Sequence, residues 1–261
     1  MTNNRLTEIN YDRVINSLEN VTKGILHSFV FENLTIKEII IRNFIAKSFS
    51  LLNSVNLLQQ TKQFGESAVL YRVLVERFLY LKYIADNNLY KEFDDWSFVK
   101  NFESRNNVRS FPEFNKNIEE GFLKDEKTEI VRYQKLKSSK NKWKEPNLEN
   151  YSKQIDLGFL YKLSYDVGSS FVHPRSSEGQ IDVNRLTGLQ NNKEWTFIPI
   201  LHNSILIHLV IIKTSFIALK FENNKMIYTY CDKLLNYISE EGKISNLDSL
   251  TKITIMGLIK K

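Results

Sequence analysis

The stretch of sequence that decides the fold is residues 34–60, LTIKEIIIRNFIAKSFSLLNSVNLLQQ. Apolar side chains recur in it at helical intervals, at Ile40, Phe44, Ile45, Phe49, Leu52 and Val55. Residues three and four apart lie on one face of an α-helix, so this stretch is typical of a helix with one buried face. Asn33 or Thr35 stands where a polar side chain caps such a helix.

Other parts of the chain carry the same signal. We predict helices over about residues 7–31, 65–87, 113–137, 151–172, 199–219, 225–239 and 247–259, and a shorter one that begins at Asp94. The run from Ser176, SSEGQIDVNRLTGLQNNKE, predicts a loop, with a short strand-like piece as an alternative. Only nine glycines and four prolines occur, which favours long helices over a turn-rich sheet. We therefore predict an all-α, antiparallel helical bundle that forms a single domain over residues 1–261.

The middle of the chain departs from this pattern. Apolar residues thin out over about residues 106–150, so the core is expected from about residues 7–105 and 151–260. The most basic run, KLKSSKNKWKEP, extends from Lys135 to Pro146. Lysines beside an aromatic ring are typical of a nucleic-acid surface on which a base stacks. A solvated loop anchored by Trp143 is the interpretation that we favour.

Composition narrows the location and the class of protein. The formal charge of +6 permits an acidic partner such as RNA without requiring one. Cys231 is the only cysteine, which excludes an internal disulfide and fits a reducing cytoplasm. Residues 198–219 are long enough to span a membrane, but polar residues interrupt them: His202, Asn203, His208 and Lys213. We expect a buried core helix there, no membrane partner and a cytoplasmic location.

Two segments carry the candidate site. The sequence from residue 161 to 175, YKLSYDVGSSFVHPR, spaces Tyr161, Tyr165, Ser169 and His173 four residues apart. Four residues exceed one helical turn by about 40°, so these polar groups share one face. In the apolar run VLYRVLVERFLYLKYI from Val69, Arg72 and Glu76 are also four apart and can pair along a helix. A hydrogen-bonded structural network and a reactive surface are both compatible with this pattern.

LYRVLVE at residues 70–76, Trp143 and the tyrosine–serine–histidine series together resemble a bacterial family, domain of unknown function 5677. The resemblance covers about residues 63–177. It implies an all-helical bundle and a bacterial protein of the kind found near antiviral defence genes, with no established activity.

A looser likeness is to the HEPN superfamily, and this likeness implies a helical ribonuclease in which four to six residues separate an arginine from a histidine on one helix. The seven residues before His173, DVGSSFV, contain no arginine. Arg72 or Arg175 would have to supply that group from elsewhere.

The leading hypothesis is a bacterial defence or toxin-type effector that cleaves RNA without metal. His173 would be the general acid or base, Arg72 and Arg175 the phosphate ligands, and Glu76 the residue that orients Arg72. Tyr161, Tyr165 and Ser169 would be polar support. The alternative is a non-catalytic helical module that binds a partner protein or small ligand through the groove between Arg72/Glu76 and Tyr161/His173. In that case His173 caps its helix, and the arginine–glutamate pair and the tyrosines are structural.

Cofactors and metals are not expected. The sequence contains no HExxH, no P-loop, no GxGxxG and no GxSxG. His202 and His208 are six residues apart, hence on different faces of one helix, and cannot chelate one metal together. The expected partners are RNA, a protein from the same operon, and a second copy of the chain.

Overall fold

The computed structural model describes residues 11–30, 33–111, 127–139, 143–172, 179–188, 198–220, 224–239 and 247–259. These ranges hold eleven α-helices and no β-strand, which confirms the predicted all-α fold. The helices are α1 Tyr11–Ser28, α2 Ile36–Gln60, α3 Phe64–Asn87, α4 Tyr90–Arg109, α5 Lys127–Ser138, α6 Leu148–Gln154, α7 Gly158–Ser169, α8 Gln180–Thr187, α9 Ile198–Leu219, α10 Asn224–Ser239 and α11 Leu247–Ile259.

The centre of the bundle is formed by α2, α3 and α9, each of which packs on the other two. The start of α2 is fixed by a capping box, in which the Glu38 amide donates to Thr35 Oγ1 and the Thr35 amide donates to the Glu38 carboxylate at 2.7 Å. Of the two capping residues that the sequence offered, the structure uses Thr35. This box satisfies amides that the first turn of a helix otherwise leaves without partners.

The apolar helix α9 lies within this core, as the sequence predicted. Its span Pro199–Leu219 is the one helix among the described residues that is long and apolar enough to cross a membrane. In this structure 61% of an 18-residue apolar stretch within this span is buried against other parts of the chain. The core helix of a globular bundle has the same composition.

The first helix, α1, packs against the last helix, α11, which also packs against α10. Ser17 Oγ on α1 lies 2.7 Å from Tyr230 Oη on α10 and 2.7 Å from Thr251 Oγ1 on α11. All three residues are buried. Because the hydroxyls satisfy one another, this polar junction joins three helices without leaving a buried group unpaired.

Helices α4 and α5 pair side by side, and we call them the arm. The rings of Phe102 and Tyr133 stack between them at 4.2 Å, and α5 itself has no buried residue. The sequence placed the start of α4 at Asp94, four residues too late, because the residue before the helix is Leu89, which makes no side-chain capping bond that would mark the start. The predicted helix 113–137 is described only from Lys127 onward.

Two further predictions were wrong. The helix predicted over residues 151–172 is two helices, α6 and α7, because Asp156 adopts a left-handed conformation with φ 58° that no α-helix accommodates. The segment predicted as a loop from Ser176 contains the helix α8, which lies between Gly179 and Gly188, both with positive φ. These glycines mark the ends of α8, and the sequence suggested a loop because of them.

Candidate functional site

Helix α7 lies unusually close to α3 at Gly168. A Cβ atom on Gly168 would stand 2.7 Å from Arg72 Cβ and 3.1 Å from Arg72 Cδ. One turn further, a Cβ on Gly65 would stand 2.7 Å from the ring of Phe171. The two glycines therefore allow the two helices to approach until side chains on α7 reach the charged groups on α3.

The centre of the candidate site is Arg72. Its Nε donates to Glu76 Oε1 at 2.9 Å, and its Nη1 donates to Ser169 Oγ at 2.8 Å. The guanidinium carbon also lies 4.1 Å from the centre of the Tyr165 ring. The Arg72 and Glu76 side chains are 22% and 28% exposed, so this ion pair is partly shielded from water. The contacts fix the plane of the guanidinium between α3 and α7.

Tyr161 extends the site along α7. Its ring centre lies 5.7 Å from that of Tyr165. Partial burial raises the pKa of Tyr161, and the neighbouring carboxylate of Glu76 raises it further. The phenol therefore stays protonated at neutral pH and can donate a hydrogen bond, but it cannot serve as a base.

Two residues of the site, Tyr80 and Glu145, were not predicted from the sequence. Tyr80 Oη donates to Glu145 Oε1 at 2.6 Å, and burial together with the carboxylates of Glu145 and Glu76 raises the pKa of Tyr80. Tyr80 follows Glu76 by four residues, so the helical spacing that identified Arg72 and Glu76 could have identified it. No comparable pattern marks Glu145, which lies between Trp143 and α6 in a segment without regular secondary structure.

Trp143 is an anchor, as the favoured interpretation of the lysine run predicted. Its side chain is buried, and its ring lies 5.9 Å from Tyr83, 5.1 Å from Phe93 and 5.7 Å from Trp96. An indole enclosed by three aromatic rings offers no face on which a base could stack. The stacking alternative is wrong for this residue.

Of the seven predicted site residues, the structure brings five together: Arg72, Glu76, Tyr161, Tyr165 and Ser169. The other two, His173 and Arg175, lie outside the described residues. Ser169 ends α7 four positions before His173 in the sequence. The roles assigned to His173 and Arg175 stay predictions.

The two histidines of α9 are structural. His208 is fully buried, with Nε2 3.1 Å from Thr22 Oγ1 and Nδ1 2.8 Å from Ser48 Oγ. Burial lowers the pKa of His208 to about 3. His202 lies 3.4 Å from the Tyr11 hydroxyl, and burial lowers its pKa as well. Within the described ranges, no group of three histidine, cysteine or carboxylate side chains could hold a metal ion.

Comparison with known proteins identifies one family. The model of a family of unknown function, domain of unknown function 5677, matches residues 38–184. This range runs from α2 to α8 and includes Arg72, Glu76, Tyr161, Tyr165 and Ser169. No curated protein and no solved structure matches the chain.

Proposed function

The chain belongs to the domain of unknown function 5677 family, whose match covers more than half of its length, and we propose that it is a bacterial effector of the defence or toxin type that cleaves RNA without metal. The observation that carries the proposal is the hydrogen bond from Arg72 to Ser169. It brings an arginine from α3 to the end of the helix that precedes His173. That helix has no arginine of its own, so α3 supplies the cation that the chemistry requires.

Cleavage of RNA by its own 2′-hydroxyl needs a base, an acid and a cation, and a base that has taken the first proton can return it as the acid. A base takes the 2′-hydroxyl proton, the oxygen attacks phosphorus, and the bond to the 5′ oxygen breaks as that oxygen receives a proton. A cation stabilises the charge that builds on the phosphoryl oxygens between these events. We assign the proton transfers to His173 and the cation to Arg72, with Arg175 as a second phosphate ligand.

The contacts around Arg72 suit this role. A guanidinium has five N–H donors, and among the described residues Glu76 and Ser169 use two of them, so three remain for a phosphate there. Glu76 and the Tyr165 ring hold the guanidinium in one orientation before substrate arrives, so less entropy is lost on binding. The protonated phenol of Tyr161 is a further donor beside it.

The experiment is cleavage of a mixed RNA panel in EDTA by wild type, His173→Ala and His27→Ala. His27 is an exposed histidine on α1 and is the matched control. We expect wild type and His27→Ala to leave 2′,3′-cyclic phosphate and 5′-hydroxyl ends at equal rates. His173→Ala should be slower by about 10²–10⁴-fold. A folded His173→Ala protein that cleaves as wild type does would overturn the proposal, and so would inactive wild type.

A second candidate function is a non-catalytic module that binds a partner protein or small ligand through the same site. The observation that favours it is that Arg72 already has partners within the chain, in Glu76, Ser169 and Tyr165. A protein encoded in the same operon is the first partner to test. If wild type cleaves no RNA but forms a stable complex with that protein, and Arg72→Ala abolishes the complex, the module replaces the ribonuclease.

We also propose that the protein is cytoplasmic and forms a homodimer. The burial of α9 in the core supports the first part, because a helix packed on α2 and α3 is not free to contact lipid. The dimer is proposed because two-fold symmetric pairs are the commonest soluble oligomers, and such a pair would build a composite site about its axis. Fractionation of cells and sedimentation of the purified protein test the two parts. Recovery in the membrane pellet contradicts the first, and a monomer at micromolar concentration contradicts the second.

A further inference from the structure

The arm formed by α4 and α5 pairs four of its five carboxylates internally, and only Glu92 on α4 has no ion pair among the described residues. Along the seam between the helices, Arg132 bonds Asp94 at 2.6 Å and Asp95 at 3.2 Å. Four carboxylates are paired there in all, by Arg132–Asp94, Arg132–Asp95, Lys137–Glu103 and Arg105–Glu129. A carboxylate already paired to a cation contributes little negative potential to the outer surface of the arm.

Four lysines on and beside the arm lack such compensation, namely Lys100 on α4 and three that lie on α5 and beyond it. Lys127 and Lys135 on α5 and Lys144 beyond it are exposed, and none makes an ion pair within the part of the chain that the structure describes. Lys127 and Lys135 are eight residues apart, about 12 Å along the helix axis. Lys144 follows Trp143, which the rings of Phe93 and Trp96 hold against α4. The arm therefore presents exposed lysines without a paired carboxylate, on a backbone that α5 and the contacts of Trp143 hold in place.

We propose that the outer surface of the arm binds the phosphate backbone of RNA, without reading its sequence. Lysine ammonium groups neutralise phosphates as point charges, and such contacts carry affinity but no base specificity. The inference rests on the proposal that the protein acts on RNA, and it adds the surface that holds the strand outside the Arg72 site.

The composition of the surface favours RNA over an acidic protein. Interfaces between proteins are depleted in lysine and depend on aromatic or arginine anchors. On the arm those side chains are engaged elsewhere. Tyr133 stacks on Phe102, Arg132 pairs with Asp94 and Asp95, and Trp143 is buried. Val131, 63% exposed, is the only large apolar side chain between Lys127 and Lys135 that is more than half exposed.

The test is the salt dependence of RNA binding, measured by fluorescence anisotropy with a labelled 20-nucleotide single strand of mixed sequence. His173→Ala is the background for every protein, so that binding is read without cleavage. In this background, Lys127→Gln, Lys135→Gln and Lys144→Gln are combined. The matched control combines Lys225→Gln, Lys233→Gln and Lys252→Gln, three exposed lysines on α10 and α11 that give the same change in net charge.

We expect the arm variant to bind RNA more weakly. The slope of log K against log salt concentration should become less steep by about 2, since each of the three lysine–phosphate contacts on a single strand contributes about 0.7. The control should keep the slope of its parent protein. Equal losses in both variants, or none in either, would overturn the inference. The inference would also be overturned if the parent protein bound polyglutamate through these lysines but did not bind RNA.

This experiment is independent of the cleavage assay. If the arm lysines are needed for binding but wild type cleaves no RNA, the ribonuclease proposal fails and the binding surface stands. If wild type cleaves RNA and the arm variant binds as the control does, the ribonuclease stands and the binding surface fails.

Discussion

Arg72 Nη1 donates a 2.8 Å hydrogen bond to Ser169 Oγ, which follows it by 97 residues in the chain. The contact joins the charged pair of α3 to the hydroxyl-bearing face of α7. The two segments identified as separate patterns in the sequence are therefore one site. Both residues lie within the range that matches the family.

Gly168→Ala should destabilise the protein. The added methyl group would stand 2.7 Å from Arg72 Cβ, and it would also approach the carbonyl of Ala68 to 3.2 Å. Overpacking of this kind costs about 1–3 kcal/mol. Urea denaturation monitored by circular dichroism measures the free energy of unfolding, and the same variant should lose RNA cleavage because α7 is displaced from Arg72.

Gly24→Ala is the matched control for that substitution. Gly24 is also buried in a helix, but its added Cβ would meet Leu258 at 3.4 Å, an ordinary van der Waals contact. Alanine is a better helix former than glycine by up to about 1 kcal/mol, so we expect stability to be kept or increased. Equal destabilisation by the two substitutions would show that the close approach at Gly168 is not the cause.

Arg72→Lys should reduce cleavage far more than it reduces stability. Lysine keeps the charge, but it cannot bond Glu76, Ser169 and a phosphate at once in the plane of a guanidinium. We expect kcat/KM to fall by about 10²–10³-fold, as when one donor to a developing negative charge is removed. Arg13→Lys, at the exposed Arg13–Asp248 pair, is the control and should leave kcat/KM unchanged. Full activity of Arg72→Lys would mean that only charge is needed at this position.

Trp143→Ala should unfold or strongly destabilise the protein. The side chain is 6% exposed and packs among three aromatic rings, and its truncation costs about 3–5 kcal/mol. Phe159, 82% exposed, provides the comparison, since Phe159→Ala should change the free energy of unfolding by less than about 0.5 kcal/mol. A stable Trp143→Ala protein with weakened RNA binding would instead restore the base-stacking interpretation.

His208 should make stability fall in acid. Burial lowers its pKa from 6.5 to about 3, so below pH 6.5 the unfolded chain binds a proton that the folded chain does not. Stability from this group is fully present above pH 6.5 and is lost progressively as the pH falls toward 3. Between pH 7 and pH 5 the loss is about 2 kcal/mol.

The variant His208→Gln tests that relationship. The variant should be less stable than wild type at pH 8, because a buried hydrogen-bonded group is replaced. The difference between their free energies of unfolding should narrow by about 2 kcal/mol at pH 5. Urea titrations at the two pH values give both numbers. A difference that does not change with pH would show that His208 does not titrate in this way.

Local patterns in the sequence predicted most of the helices, because apolar spacing and capping residues act within a few positions of each other. The ends of α2, α3 and α11 agree with their predicted limits within two residues. The break between α6 and α7 was missed, since Asp156 gives no signal as strong as glycine or proline for its left-handed conformation. The same reasoning mistook α8 for a loop because glycines stand at both of its ends.

The candidate site was predictable only in part. Spacing placed Arg72 with Glu76, and Tyr161, Tyr165 and Ser169 with one another, because each set lies on a single helix face. Their meeting depends on the packing of α3 against α7, and Gly168 allows it. Glu145 reaches Tyr80 from a segment without regular secondary structure, whose path no helical periodicity describes.

The most direct test of the central claim is a double-mutant cycle on metal-free RNA cleavage, with Arg72→Ala, His173→Ala and the two combined. If Arg72 and His173 act on the same phosphate, each single substitution removes most of the rate. The combined variant should then be little slower than the worse single one. The account would be contradicted if the increases in the free energy of activation caused by the two single substitutions simply added in the combined variant. Additive increases would show that the two residues act independently.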